Sequence, residues 1–458
     1  MRTFTLLAWA VMVLAGFGCG PEKQPEPETY LGVPVAEIET ELEQLMALWY
    51  PRIVDTVNGG YLTNFERDWT PSESQNKMLV TQARGLWTAA RAAAFFPDRP
   101  VFREAADAGF RFLTEKMWDT QYGGFYQYFP PVAATPSEPS YKMTYSNAFA
   151  LFALAEYARI NPEPAVMDWV RKAFQWLESR AHDPQLRGYY NLIFDEPLSA
   201  TDTAQQRYAG SLGWGKPEWK DQNTSIHVLE ALSTTYQVLP EPLVGERLAE
   251  MLHLVRDTMV NEDGYLHLYF TKDWEPISHR DSSRAYILDN LPLDHQSFGH
   301  DIETGYLLIE ASESLNDGAV DAKTLETAKA LVDHTLAYGF DQDYYGLFDR
   351  GYRFPPDREM EIVNNHKVWW AQAEAWHALG LMTQYFPNEK VYEEAFRKMW
   401  DYIQKEMIDP EYGGWYANGL DTAPESISQR KAHQWKGAYH NGRALFQVLT
   451  YARESTQE

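Results

Sequence analysis

The chain has 458 residues, 45% hydrophobic and 23% charged, the balance of a folded globular protein and not of a disordered one. Its formal net charge of −25 argues against nucleic acid as a partner, because neutralising phosphates needs clustered Lys and Arg. A single cysteine, Cys19, excludes an intrachain disulfide and any cysteine-based metal site.

Aromatic residues make up 14% of the chain, with 16 Trp and 28 Tyr. Such a content serves either a large core or a cleft for sugars, whose C–H faces stack on aromatic rings; composition alone does not separate the two. The first residues, Met1-Arg2-Thr3 and then an apolar run to Gly16, end in Gly16-Phe17-Gly18-Cys19-Gly20. This pattern predicts an export signal over 1–19 with Cys19 as a lipidated first residue. A Leu is usual three residues before such a cysteine, where this chain has Gly16. Pro- and Glu-rich residues 20–35 then read as a flexible tether. The expected location is the cell envelope, at the outer membrane or its periplasmic face, anchored through Cys19.

From 36 to 458 the chain repeats a unit of helix, glycine turn and helix. The first helices are Glu37–Tyr50, Val101–Trp118, Ala165–Ala181, Leu243–Val260, Ala322–Tyr338 and Val391–Met407. The second helices are Lys77–Phe96, Lys142–Ile160, Thr224–Val238, Gly299–Leu315, Lys367–Tyr385 and Ala438–Arg453. Between them recur turns such as Asp119-Thr120-Gln121-Tyr122-Gly123-Gly124-Phe125-Tyr126 and Asp409-Pro410-Glu411-Tyr412-Gly413-Gly414-Trp415-Tyr416. Their glycines supply positive φ and their aromatics suit short strands. The first helix of each cycle is amphipathic and the second is apolar nearly all round, which means buried. Six buried helices inside six amphipathic ones predict an all-α (α/α)6 toroid, with short β-hairpins at the glycine turns. An open helical solenoid and a pair of helical domains are the competing architectures. In the toroid the inner helices run parallel, so their N-termini and the hairpins meet at one mouth, the expected binding site.

The starts of the inner helices carry polar and aromatic residues: Arg84 and Trp87; Asn223, His227 and Glu230; His300, Glu303 and Tyr306; Trp369, Trp370 and Glu374; and Trp435, Lys436, Tyr439, His440, Asn441 and Arg443. Any one of these sets is compatible with a structural role; five at the same end of a ring point to a site. A zinc centre would use three histidines, but no helix has His-x-x-x-His spacing. A glycosidase would use two of Glu230, Glu303 and Glu374, which leaves the histidines idle. Two histidines facing each other suit removal of a proton from one face of a carbon and its return on the other. With an arginine to stabilise an enediolate, the chemistry is C2 epimerisation or aldose–ketose isomerisation of a reducing sugar, with no cofactor and no metal.

The segments Thr81-Gln82-Ala83-Arg84, Asn223 to Ala231, Ser297 to Glu303, Lys367 to Glu374 and Trp435 to Arg443 together resemble the N-acylglucosamine 2-epimerase superfamily, and within it most closely the cellobiose and mannobiose 2-epimerases. The resemblance implies that His300 and His440 are the acid/base pair at C2, and that Arg84 and His227 hold the O1/O2 side. It implies that Trp370 and Trp435 stack on sugar units, that Glu303 and Glu374 bond hydroxyls and orient the histidines, and that Asn223 and Tyr126 join the pocket. Tyr306 stands where these enzymes usually have Trp, Ser225 where a His is frequent, and Ala438 where a Pro is frequent. The implied substrate is a reducing mono- or disaccharide, epimerised at C2 of the reducing-end hexose of a β-1,4-linked disaccharide; the alternatives are a monosaccharide aldose–ketose isomerase, an N-acylglucosamine 2-epimerase and a non-catalytic glycan-binding lipoprotein.

Overall fold

The computed structural model of the chain describes residues 28–131, 140–196 and 216–456. Cys19, the expected export signal and residues 20–27 lie outside the described residues. The last residues assigned to the tether, 28–35, belong instead to the fold: Thr29–Tyr30 pairs with Val33–Pro34 and a helix starts at Val35. Tyr30 is buried and its hydroxyl donates to the Gly380 carbonyl, so apolar contact fixes this stretch despite its turn-rich sequence.

Thirteen α-helices follow among the described residues: α1 (Val35–Trp49), α2 (Leu79–Phe95), α3 (Pro100–Phe112), α4 (Thr144–Ile160), α5 (Pro164–Arg180), α6 (Gln222–Val238) and α7 (Pro242–Leu254). They continue with α8 (Arg284–Asp289), α9 (Phe298–Leu315), α10 (Ala322–Tyr338), α11 (Trp369–Tyr385), α12 (Lys390–Tyr402) and α13 (Tyr439–Ser455). Helices α2, α4, α6, α9, α11 and α13 each pack on the next, and α13 packs back on α2, so the ring closes. Helices α1, α3, α5, α7, α10 and α12 lie outside it. This is the (α/α)6 toroid, with α8 as an addition in the fourth cycle.

Pattern explains which helix goes where. Helix α3 buries Phe102, Ala105, Ala106, Gly109 and Phe112, a single stripe at helical spacing. Helix α4 buries every residue from Thr144 to Ala158, as an element surrounded on all sides must. Short strands precede most inner helices: Lys77 and Lys142, which the sequence placed within helices, lie in strands, as does Lys220, and Lys367 precedes its helix. Five of the six inner helices lack a side-chain N-cap. Their orphan donors go to neighbouring turns: the N–H groups of Leu79, Thr144 and Trp369 donate to the carbonyls of Gln127, Asn191 and Ala417.

The glycine turns are riveted by buried ion pairs. In five cycles the turn aspartate accepts two backbone N–H groups of its own loop, as with Asp119 and the amides of Gln121 and Tyr122. It then meets a buried lysine: Asp55–Lys77 at 2.7 Å, Asp119–Lys142 at 2.8 Å, Asp183–Lys220 at 3.0 Å, Asp341–Lys367 at 2.8 Å and Asp409–Lys431 at 2.6 Å. Gly124 has φ of 72°, and a Cβ there would lie 2.5 Å from the Trp176 ring; the turn therefore needs glycine both for conformation and for space. The fourth cycle breaks the rule, with Asn261 and Gln296 at the aspartate and lysine positions.

Candidate active site

Ten residues line a cavity of about 300 Å³ at the mouth: Arg84, Tyr145, Asn223, His227, His300, Glu303, Trp369, Trp370, Trp435 and His440. Each comes from the start of an inner helix or from the loop leading into one, as the ring predicts. Of the sequence candidates, Arg84, Asn223, His227, His300, Glu303, Trp370, Trp435 and His440 meet here. Glu374, Tyr306 and Tyr126 do not line it.

His440 is buried in the first turn of α13. Its Nδ1 lies 2.5 Å from Glu374 Oε1, which leaves Nε2 free for a substrate. Burial pushes the imidazole down to about 4, with Arg84 adding to the shift; the ring is neutral at physiological pH. Burial likewise takes His300 down to about 3. His300 Nδ1 is 2.7 Å from Ser297 Oγ. Its neighbour is thus the serine three residues before it and not Glu303 three residues after it, although the same-face rule allows either. His227 does pair with its i+3 carboxylate, Nδ1 to Glu230 Oε2 at 2.9 Å.

Trp370 ties the two histidines together, its ring 4.8 Å from that of His300 and 5.9 Å from that of His440. Gly299 makes this possible: a Cβ there would lie 2.5 Å from the Trp370 ring. Arg84 is buried, with its guanidinium 4.2 Å from the Phe149 ring and Nη2 3.3 Å from the Tyr145 hydroxyl. Among the described residues it forms no ion pair, and its Nε is buried without a partner. The Asn223 Oδ1 is buried and unpartnered too. A cation without a carboxylate, at the wall of a pocket, is free to meet a developing anion.

Below the histidines lies a charged floor that the sequence did not assemble. Arg443 Nη2 bonds Glu303 Oε1 at 2.9 Å and Glu374 Oε1 at 2.8 Å, and Nη1 pairs with Glu230. One arginine therefore positions the carboxylates behind both His227 and His440. Donor atoms of Glu303, Glu374 and His440 fall within 4.8 Å of one another, a spacing that suits a cation. The Arg443 guanidinium already fills that role between the two carboxylates. Burial alone would raise Glu374, but Arg443 and the His440 bond hold it well below its usual value. Burial and the nearby Glu374 push Glu303 up to about 8, so Glu303 is protonated at neutral pH.

Tyr306, expected at an outer sugar subsite, is fully buried in this floor. Its hydroxyl donates to Glu374 Oε2 at 2.7 Å and its ring lies 4.1 Å from that of His377. An i+3 step from Glu303 carries it down the helix, away from the mouth. Tyr126 sits instead over the Lys142 rivet, with Nζ 5.6 Å from its ring; the pocket takes Tyr145. The sequence named Ser297 and Trp369 within its motifs without giving either a role, and it passed over Tyr145.

A neutral histidine pair, an uncommitted arginine and tryptophan faces at one mouth of an (α/α)6 toroid define a sugar isomerase. The chain belongs to the N-acylglucosamine 2-epimerase family, whose model matches residues 60–444. It is similar to cellobiose 2-epimerase of Bacteroides fragilis, 24% identical over 422 residues that cover 90% of this chain and 98% of the relative. Among solved structures it resembles the cellobiose 2-epimerase of Spirochaeta thermophila, with TM-score 0.73 and 26% identity over 93% of this chain and 97% of the other. The fold is shared with a D-mannose isomerase, with TM-score 0.76 and 20% identity over 91% and 97% of the two chains.

Proposed function

We propose that the protein epimerises C2 of the reducing-end hexose of a β-1,4-linked disaccharide of the cellobiose type, without a cofactor. The observation that carries this reading is the pair of neutral histidines flanking Trp370 beside an unpaired Arg84. After ring opening, His440 Nε2 takes the C2 proton while the C1 carbonyl oxygen gains the electron pair, giving a cis-enediolate. Arg84 and His227 face the two oxygens, and the charge on Arg84 stabilises the anion. Glu374 stabilises the imidazolium formed on His440. His300, first charged by a solvent proton drawn in by the enediolate anion, returns that proton to the opposite face of C2 and is left neutral, while His440 releases the C2 proton to solvent. Trp370 and Trp435 stack on the sugar rings, and protonated Glu303 donates to a hydroxyl.

Incubation with cellobiose in D2O, followed by NMR, tests the proposal. The expected result is a 2-epimeric disaccharide carrying deuterium at C2. A product with neither deuterium nor inversion at C2 refutes it for this substrate. A ketose would assign the same enediolate to aldose–ketose isomerisation, since only the carbon that is reprotonated differs. Cys19 is proposed as the lipid-bearing residue of an envelope-anchored enzyme; palmitate labelling that survives Cys19→Ser would refute this.

A further inference from the structure

The fourth cycle replaces its ion pair with two amides and adds a lobe. Strand Gln296–Ser297 pairs with Arg350–Arg353, which pairs with Met360–Asn364, and α8 packs Ile287 against Tyr352 and Phe354 of that lobe. Where the other cycles bring lysine to aspartate, this one leaves a cavity of about 180 Å³. It shares no lining residue with the catalytic pocket.

Its walls want a ligand. Gln296 is 3% exposed; its Nε2 donates to Asp301 Oδ2 at 3.2 Å, while its Oε1 is buried without a partner. That orphan acceptor asks for a donor such as a hydroxyl. Three arginines line the same cavity. Arg353 has a buried, unpartnered Nε; Arg358 is steadied by Asp281 at 2.5 Å; among the described residues exposed Arg280 forms no ion pair or side-chain hydrogen bond. On a chain of net charge −25, three guanidiniums around one cavity are a local reversal of sign. The carboxylate of Asp294 is already engaged, accepting from the Ser278 and Tyr352 hydroxyls at 3.1 and 2.9 Å and from the His279 amide at 2.5 Å. Asp263 is exposed at the rim.

We propose that this cavity binds a small polyhydroxylated anion, a sugar acid or sugar phosphate, with the arginines on the anionic group and Gln296 Oε1 accepting from a hydroxyl. Alternate residues of a strand face opposite ways: Gln296 lines this cavity, and the next residue, Ser297, holds His300. The ligand site is therefore one peptide unit from the catalytic histidine.

Isothermal titration of the purified protein with gluconate, glucose 6-phosphate, inorganic phosphate and glucose tests the proposal. Gluconate or glucose 6-phosphate is expected to bind with Kd of about 1 mM or tighter, and the tighter of the two identifies the anionic group. Arg280→Ala, a change at an exposed side chain, is expected to weaken that binding at least about tenfold, or about 1.4 kcal/mol. His440→Ala is expected to leave it unchanged, which separates the site from the catalytic pocket. No saturable heat with either sugar anion, equal binding of glucose, equal binding of inorganic phosphate, loss of binding in His440→Ala, or wild-type affinity in Arg280→Ala would each overturn it.

Discussion

Replacing Glu374 with glutamine keeps the shape of the floor and removes one charge. In the native site Glu374 Oε1 is 2.5 Å from His440 Nδ1 and 2.8 Å from Arg443 Nη2, while Oε2 accepts from Tyr306. The charge matters most when His440 holds the C2 proton, because only then is the ring cationic. A charge-assisted hydrogen bond contributes about 1.5–3 kcal/mol against about 0.5–1.5 kcal/mol for a neutral one. Coulomb attraction at about 4 Å and an effective dielectric near 20 is about 4 kcal/mol, part of which Arg443 already offsets. A net loss of about 2–4 kcal/mol in the enediolate state follows, or about 30- to 1000-fold in kcat. The assay is initial-rate formation of the epimer, with circular dichroism to verify folding. KM should change little, since the lost interaction belongs to the charged intermediate. A folded Glu374→Gln protein with kcat within about threefold of wild type would refute the assignment of His440 as a base backed by this carboxylate.

The remaining predictions address other parts of the molecule. His300→Ala and His440→Ala should each lower turnover by at least about 10²-fold with an unchanged melting profile; wild-type rates in either would remove that histidine from the mechanism. The pH profile of kcat/KM should be a bell. His440 acts as a base only when neutral, and its value of about 4 keeps it neutral well below pH 6.5, so activity falls only on further acidification. Glu303, held at about 8, loses its proton above that value and adds negative charge beside Glu374, which should produce the alkaline limb. Glu303→Gln should abolish the alkaline limb and keep the acid one; an unaltered bell would disprove the role of Glu303. Lys142→Met leaves the carboxylates of Asp119 and Asp195 without their shared partner and should cost about 3–5 kcal/mol in urea unfolding. A cost under about 1 kcal/mol would show that the rivet contributes little.

The toroid was legible because its signal repeats. Six amphipathic and six apolar helices, each separated by a glycine turn, left little freedom in layering, and among the described residues only the insertion around α8 lay outside the scheme. The site was legible where it depends on position along a helix: Arg84, His227, His300, Trp370 and His440 all sit near N-terminal ends and all reach one cavity. What depends on contacts across the ring was not legible. Sequence spacing pairs His300 with Glu303, yet the rotamer turns the ring to Ser297. Arg443 looked like one more polar residue of α13, because its three carboxylates come from three other helices. Tyr306 matched a family position but lies one turn too deep to touch the cavity. The rivets lay in plain view as lysines at the heads of inner helices and aspartates before glycine turns; no local rule joins two residues 22 positions apart, as Asp55 and Lys77 are.

The five lysine–aspartate rivets have a thermal consequence. Hydration of ions becomes less favourable as water warms, so the desolvation penalty of a buried pair shrinks with temperature, while apolar burial gains little more. Heating should therefore loosen the helix-packed rim of the ring before the turns that carry the mouth. Amides of the riveted loops, such as Gln121 and Tyr122 on Asp119, should keep their protection from hydrogen exchange closest to the melting temperature. The fourth-cycle turn at Asn261, built on amides, should be the first part of the mouth to open.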